Sequence, residues 1–176
     1  EPTYAWQGFS SRPELMRGAR QILDYFASPE EPLRVVIRVG GADRVLFNAR
    51  EVAHMADVKQ LFLGTFRVHN IVAAILVGIL AGGFLTYRRR FLRPLAWMAM
   101  AGGSVTIAFV VLVGLASLVS FDATFTLFHV LGFSNELWQL DPTRDYLIML
   151  FPGGFWYDAA LFYAGITTGL TIILGG

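Results

Sequence analysis

Val68 to Tyr87 is an almost uninterrupted apolar run of about 20 residues, the length at which a helix crosses the hydrocarbon of a bilayer. Arg88, Arg89, Arg90 and Arg93 follow at once. Pro94 to Val119 is a second such run and Gly154 to Leu174 a third, with Asp158 near its start. Runs of this kind leave few folds open, because backbone polar groups in lipid must be satisfied within the segment itself. Composition agrees: 15% of residues are charged and 55% hydrophobic, against about 25% charged in soluble domains. The sequence therefore predicts a mainly α membrane protein, a helical bundle of three spans. Gly78 with Gly82, Gly102 with Gly103, and Gly165 with Gly169 are small residues that let helices approach closely, here for packing within the chain.

The arginine cluster lies in the short loop between the first two runs, and the positive-inside rule places that loop in the cytoplasm. Everything before Val68, and the stretch from Ser120 to Pro152, then share the extracytoplasmic side. The predicted organisation is an extracytoplasmic cap over 1–66, two transmembrane helices with a cytoplasmic Arg-rich loop over 67–119, a re-entrant or interfacial active-site loop over 120–153, and a last transmembrane helix over 154–176. An extracytoplasmic N-terminal region must be exported, so a further transmembrane helix ahead of Glu1 is expected, giving four spans with both ends in the cytoplasm.

The cap reads as a small α+β unit. Ser11, Pro13 and Glu14 form a capping box, and Leu15, Met16, Ala19, Ile22, Leu23 and Phe26 follow at helical spacing to about Ala27. Leu33 to Val39 and Arg44 to Phe47 read as the strands of a hairpin turning over Gly40 to Asp43. A lone hairpin is marginal in water, so it should pack on the first helix. Asn48 and Glu51 repeat the capping-box pattern and start a helix running to about Phe62.

Several function classes fall away. The net charge of +1 gives no nucleic-acid surface, and the absence of cysteine removes disulfides, thiol catalysis and thiolate metal sites together. No HExxH or close His pair is present, so no metal site or cofactor is expected, although His54 and His129 with Asp57, Asp141 or Asp145 would supply ligands. Ser134 stands in no nucleophile-elbow context. Of the three histidines, His69 heads a span beside Asn70 and reads as interfacial. His54 and His129 both fall on the extracytoplasmic side, each among apolar and acidic residues. Histidine is the side chain suited to acid–base work near neutral pH. His54 and Asp57 are helix neighbours three apart, so a carboxylate can orient the imidazole.

The stretch from Phe121 to Phe155 keeps ionisable groups among large apolar ones, where functional sites tend to sit. Asp122, Asn135, Trp138, Asp141, Arg144 and Asp145 are candidates there for orienting groups or binding substrate. A structural reading competes: Asp141-Pro142-Thr143-Arg144 resembles a turn or a helix start, and Trp138 and Trp156 suit the headgroup level.

Two motifs, HMADVKQLF from His54 to Phe62 and FDATFTLFHVLGFSNELWQLDPTRDYLIMLFPGGFW from Phe121 to Trp156, resemble the bacterial lipoprotein intramolecular transacylase family of integral membrane proteins. The likeness implies four spans and an extracytoplasmic cap in the bacterial plasma membrane. It also implies a substrate, a diacylglyceryl lipoprotein, within a phospholipid membrane. One acyl chain would move from the inner glycerol ester to the α-amine of the N-terminal cysteine, giving the lyso form, with His54 and His129 as the catalytic pair. Competing classes are a non-enzymatic membrane protein that binds lipid or a partner, and a metal-dependent membrane hydrolase.

Overall fold

The structure, a computed structural model, describes residues 12–29, 32–39 and 41–175. The expected cap residue Ser11 lies outside them. Among the described residues, six α-helices and one hairpin follow in the order α1 (Arg12–Ala27), β1 (Val36–Val39), β2 (Ala42–Val45), α2 (Ala49–Tyr87), α3 (Leu92–Val119), α4 (Phe121–Gly132), α5 (Tyr146–Leu150) and α6 (Gly153–Gly175). The molecule is mainly helical, as its composition requires. Two compact units are formed, the described residues of Glu1–Leu63 with His129–Gly154, and Gly64–Phe128 with Phe155–Gly176.

In the first unit, the hairpin pairs Val36 with Val45 and Val39 with Ala42. The turn is therefore tighter than predicted, with Ala42 and Asp43 already in the strand. Gly41 takes φ +84, a conformation that costs glycine little. The hairpin does pack on α1. Gly18 lies against Val35 and Ile37, and the Gln21 side-chain amide both donates to the Val36 carbonyl and accepts from its N–H, each at 2.9 Å. The buried stripe of α1 is Gly18, Ile22 and Tyr25, while Met16 and Leu23 are exposed, contrary to the predicted stripe. Only a one-sided contact is available, and Tyr25 takes the central place in it. Ile22, Tyr25, Leu33, Val35, Ile37, Leu46, Phe47, Met55 and Leu147 close a single core. Leu147 brings α5 into it, which ties the 133–150 stretch to the helix-and-hairpin cap.

Helix α2 is unbroken for 39 residues, where the sequence predicted a stop near Phe62 and a fresh span from Val68. Gly64 is a weak helix former, but Leu, Phe, Val and Ile on either side keep every backbone bond inside the helix.

The continuous stretch Ala49–Val119, which begins in the first unit and runs through the second from Gly64, contains a helix long and apolar enough to cross a membrane. The arginines form a 3₁₀ turn, Arg88–Phe91, in which Arg88 takes φ 52. Phe91 folds back over Gly83 and stands edge-to-face with Phe84 at 5.3 Å between centroids. Of the paired glycines, Gly103 meets Thr171 of α6 closely, whereas Gly78, Gly82, Gly102, Gly165 and Gly169 have open space beside them. Close intramolecular packing thus holds at Gly103 and not along the other predicted pairs.

Candidate active site

The site is organised on the first three turns of α2. Asn48 caps the helix: its Oδ1 accepts from the N–H groups of Arg50 (2.9 Å) and Glu51 (3.1 Å), and its own N–H donates to Glu51 Oε2 at 2.7 Å. This is the reciprocal capping box predicted from the sequence. One turn on, His54 is buried and faces His129 near the end of α4, also buried, with ring centroids 6.1 Å apart. The Phe133 ring touches both, 5.3 Å from His54 and 5.5 Å from His129. The Trp138 indole lies over His129 at 5.0 Å, tilted by 35°. The two imidazoles therefore lie together against a phenyl and an indole.

Nδ1 of His54 is buried and has no hydrogen-bond partner. Burial lowers the His54 pKa from 6.5 to about 4, His129 pushes the same way, and only the Asp57 charge opposes them. The ring is consequently neutral at physiological pH, with a lone pair available. A buried imidazole with an unused nitrogen is costly as structure alone, and perturbed groups of this kind cluster at functional sites.

Asp57 is half-buried and accepts a hydrogen bond from Asn135 Nδ2 at 2.8 Å. It makes no hydrogen bond to His54, so the predicted orienting contact is replaced by a through-space one. Asn135 Oδ1 in turn accepts from the Leu137 N–H at 3.0 Å, which closes the chain into a turn ahead of Trp138. Asp145 is buried, with Oδ1 accepting from Asn48 Nδ2 (2.8 Å) and Oδ2 from the Asp141 N–H (2.7 Å).

Asp141 and Arg144 are turn residues. Asp141 Oδ1 accepts from the Thr143 N–H (2.9 Å) and hydroxyl (2.6 Å), which hold its carboxyl below the usual range, and Arg144 pairs with it at 3.4 Å on the surface. Their geometry matches the structural reading of the Asp-Pro-Thr-Arg stretch. Asp122 is exposed in the first turn of α4 and belongs to the second unit, and its charge suits a helix N-terminus. Among the described residues no group of three His, Asp or Glu side chains is placed to hold a metal ion.

Two participants were not singled out from the sequence, and a third was read only as part of a helix cap. Phe133 sits between the histidines. The Arg50 guanidinium donates to the Glu136 carbonyl at 2.8 Å and to the Leu137 carbonyl at 3.4 Å. Fully buried Glu51 uses its second oxygen to accept the Leu147 N–H of α5 at 2.6 Å. Burial holds the Glu51 carboxyl above its ordinary value, with the Asp145 charge adding to this, against the N–H groups of Asn48, Leu147 and Tyr146 that favour the anion. The capping box pointed to Glu51 but not to its second partner, which is distant in sequence.

The family model described as lipoprotein intramolecular transacylase Lit matches residues 6–156, which carry every side chain of this site. The chain belongs to that family. It is 34% identical over 135 residues to an uncharacterized protein of Aquifex aeolicus (strain VF5), covering 73% of this chain and 57% of the relative. The chain thus spans little more than half the length of that curated relative. Among solved structures, it is similar to the membrane integral lipoprotein intramolecular transacylase Lit from Bacillus cereus, at TM-score 0.71 and 24% identity over 93% of this chain and 70% of that one. A variant of the same Bacillus protein, with a histidine replaced by alanine, matches at TM-score 0.60 and 23% identity, over 93% of this chain and 69% of that one. The fold of that protein is therefore shared over most of this chain.

Proposed function

We propose that the chain is a membrane acyltransferase that moves one acyl chain of a diacylglyceryl lipoprotein from the inner glycerol ester to the α-amine of the N-terminal cysteine. The observation that carries this reading is the His54–His129 pair, with ring centroids 6.1 Å apart and Phe133 and Trp138 against them, and with His54 kept neutral. Membership of the transacylase family supports the substrate class.

The neutral amine attacks the ester carbonyl carbon. A C–N bond forms as the carbonyl π pair moves onto oxygen. The amine nitrogen then loses one proton, which His54 accepts through its unshared pair. The tetrahedral intermediate collapses, the ester C–O bond breaks, and the glycerol oxygen leaves with its electron pair and takes a proton from His129. One proton is removed and one returned, so proton exchange between the rings resets the pair without a cofactor or an external acyl donor. General acid–base steps of this kind contribute on the order of 10²–10⁴-fold each. Donor and acceptor share one molecule, so the remaining task is to hold amine and carbonyl together. The aromatic walls keep water, the competing nucleophile, away from the carbonyl.

In this reading the protein is a multi-pass protein of the bacterial plasma membrane. The Arg88–Arg93 turn faces the cytoplasm and the histidine pocket faces outward, where the mature N-terminus of a lipoprotein resides. Phospholipid is its solvent and the lipoprotein its partner.

The test is to incubate purified protein with a synthetic diacylglyceryl lipopeptide in the presence of a chelator and weigh the product. Unchanged total mass with an N-acyl fragment is the expected result. Loss of an acyl chain would make the protein a hydrolase, and no change would make it a binding protein.

A further inference from the structure

The stretch between α4 and α5 has no regular secondary structure, yet it carries the indole that covers His129. Its attachment to α2 is made near both ends. At the near end, Asp57 holds the Asn135 amide, and Arg50 holds the Glu136 and Leu137 carbonyls. The Leu137 carbonyl belongs to the peptide unit that leads directly into Trp138. At the far end, Asn48 donates to Asp145, and Glu51 accepts from Leu147. Within the loop itself, Gln139 N–H to Glu136 carbonyl (3.2 Å) and Leu140 N–H to Trp138 carbonyl (2.9 Å) are short-range turn bonds. They shape the loop but do not attach it to anything.

Consecutive residues of one helical turn thus reach opposite ends of one loop. Arg50 suits the near end because a planar guanidinium offers several N–H groups in a fixed fork, so one side chain serves two successive carbonyls. Glu51 suits the far end because a carboxylate has two oxygens, one spent on its own helix start and one on Leu147. The hydrogen bonds of both side chains go to the loop, α5 and the helix start rather than to a histidine, and the acid–base chemistry has no use for them.

We infer that Arg50 and Glu51 are positioning residues for the acyl transfer, acting through the loop to set the Trp138 indole over His129. The inference rests on the transacylase reading for its activity arm only. If the indole is the object being positioned, removing Arg50 matters because Trp138 moves, and it ceases to matter once Trp138 is gone. A side chain that only adds stability would cost the same in both backgrounds.

The experiment uses the full chain in lipid nanodiscs, with Trp6, Trp97 and Trp156 replaced by phenylalanine so that Trp138 is the sole indole. Arg50→Ala should give a fluorescence spectrum shifted to the red and about tenfold lower kcat, with KM within about twofold, since a small misplacement is costly at a reacting centre. Arg50→Lys should restore kcat only in part, because a compact ammonium lacks the spaced planar fork that meets both carbonyls here. In a Trp138→Leu background, the same Arg50→Ala change should cost less than about twofold, the non-additivity expected of coupled groups. For the far end, Asn48→Ser keeps a good helix cap for α2 and removes only the bond to Asp145, so it folds even if Glu51→Gln does not. It should also shift the Trp138 emission. Unshifted Trp138 emission in both Arg50→Ala and Asn48→Ser, or equal losses from Arg50→Ala in both Trp138 backgrounds, overturns the inference. A parent protein that transfers no acyl chain, while its Arg50→Ala variant still shifts the emission, overturns the transacylase reading and leaves the clamp standing.

Discussion

Asp57 gives its carboxylate to the side-chain amide of Asn135, at 2.8 Å, and acts on His54 only through space. Its charge is the one influence that raises the His54 pKa against burial and His129. Asp57→Asn removes that influence, so the His54 pKa falls further and the ring becomes a weaker base. About a three- to tenfold loss of kcat is expected, with the acid limb of the pH–rate profile displaced to lower pH. A limb that stays in place would assign Asp57 to holding Asn135 alone.

His54→Asn and His129→Asn should each nearly abolish transfer. The double variant should be hardly worse than either single one, since half of a proton relay does little. His69→Asn should remain active. Robust transfer by either single variant, measured by product mass, removes the pair from the mechanism.

Stability should respond to pH through His54. Its folded pKa, about 4, lies below the 6.5 of the unfolded chain, so the folded state disfavours the charged ring. The corresponding stabilisation is complete above pH 6.5 and is lost as pH falls toward 4, on the order of 3 kcal/mol in total. The melting temperature should drop across that window and drop less in His54→Asn. The acid limb of the proposed transfer should likewise appear in kcat near pH 4, below the 6.5 of an unperturbed histidine.

A β-carbon added at Gly83 would overlap the Phe91 ring. Gly83→Ala should therefore force the ring aside and cost about 1–3 kcal/mol, the usual range for overpacking. Phe91→Leu in the same chain should recover most of the lost melting temperature. An undiminished melting temperature in Gly83→Ala would show that the ring has room to swing away.

The chain has no cysteine, so single cysteines report orientation cleanly. Cysteines at exposed Asp43 and Ser134 should react with an impermeant thiol reagent outside intact cells, and one at exposed Arg89 should not. Outside labelling at Arg89 reverses the topology.

What could be read from the sequence was local or periodic. The Asn48–Glu51 capping box, the hairpin and the apolar runs each depend on neighbours within a few residues, and each stands in the structure. The convergence of His54 and His129 was legible for another reason, since the positive-inside reading of the arginines led to the expectation that both lie on one side of the membrane. The partners of Asp57, Arg50 and Glu51 were not legible. Each lies far along the chain, and a carboxylate three residues from a histidine gives no sign that an asparagine will claim it. The unbroken course of α2 was missed because Gly64 lowers helix propensity, and in an apolar segment propensity is overruled by the need to satisfy the backbone.

The continuity of α2 has a consequence for how the pocket opens. His54 sits on an unbroken helix, so displacing it alone means breaking several helical hydrogen bonds at once. His129 is covered by an indole on a stretch fastened by a handful of side-chain bonds. Thermal motion takes the cheaper route, so the pocket has a fixed wall and a yielding one. In the transacylase reading proposed above, admission of a two-chained lipid and release of the product become properties of the loop, and their rates should follow the strength of its few fastenings.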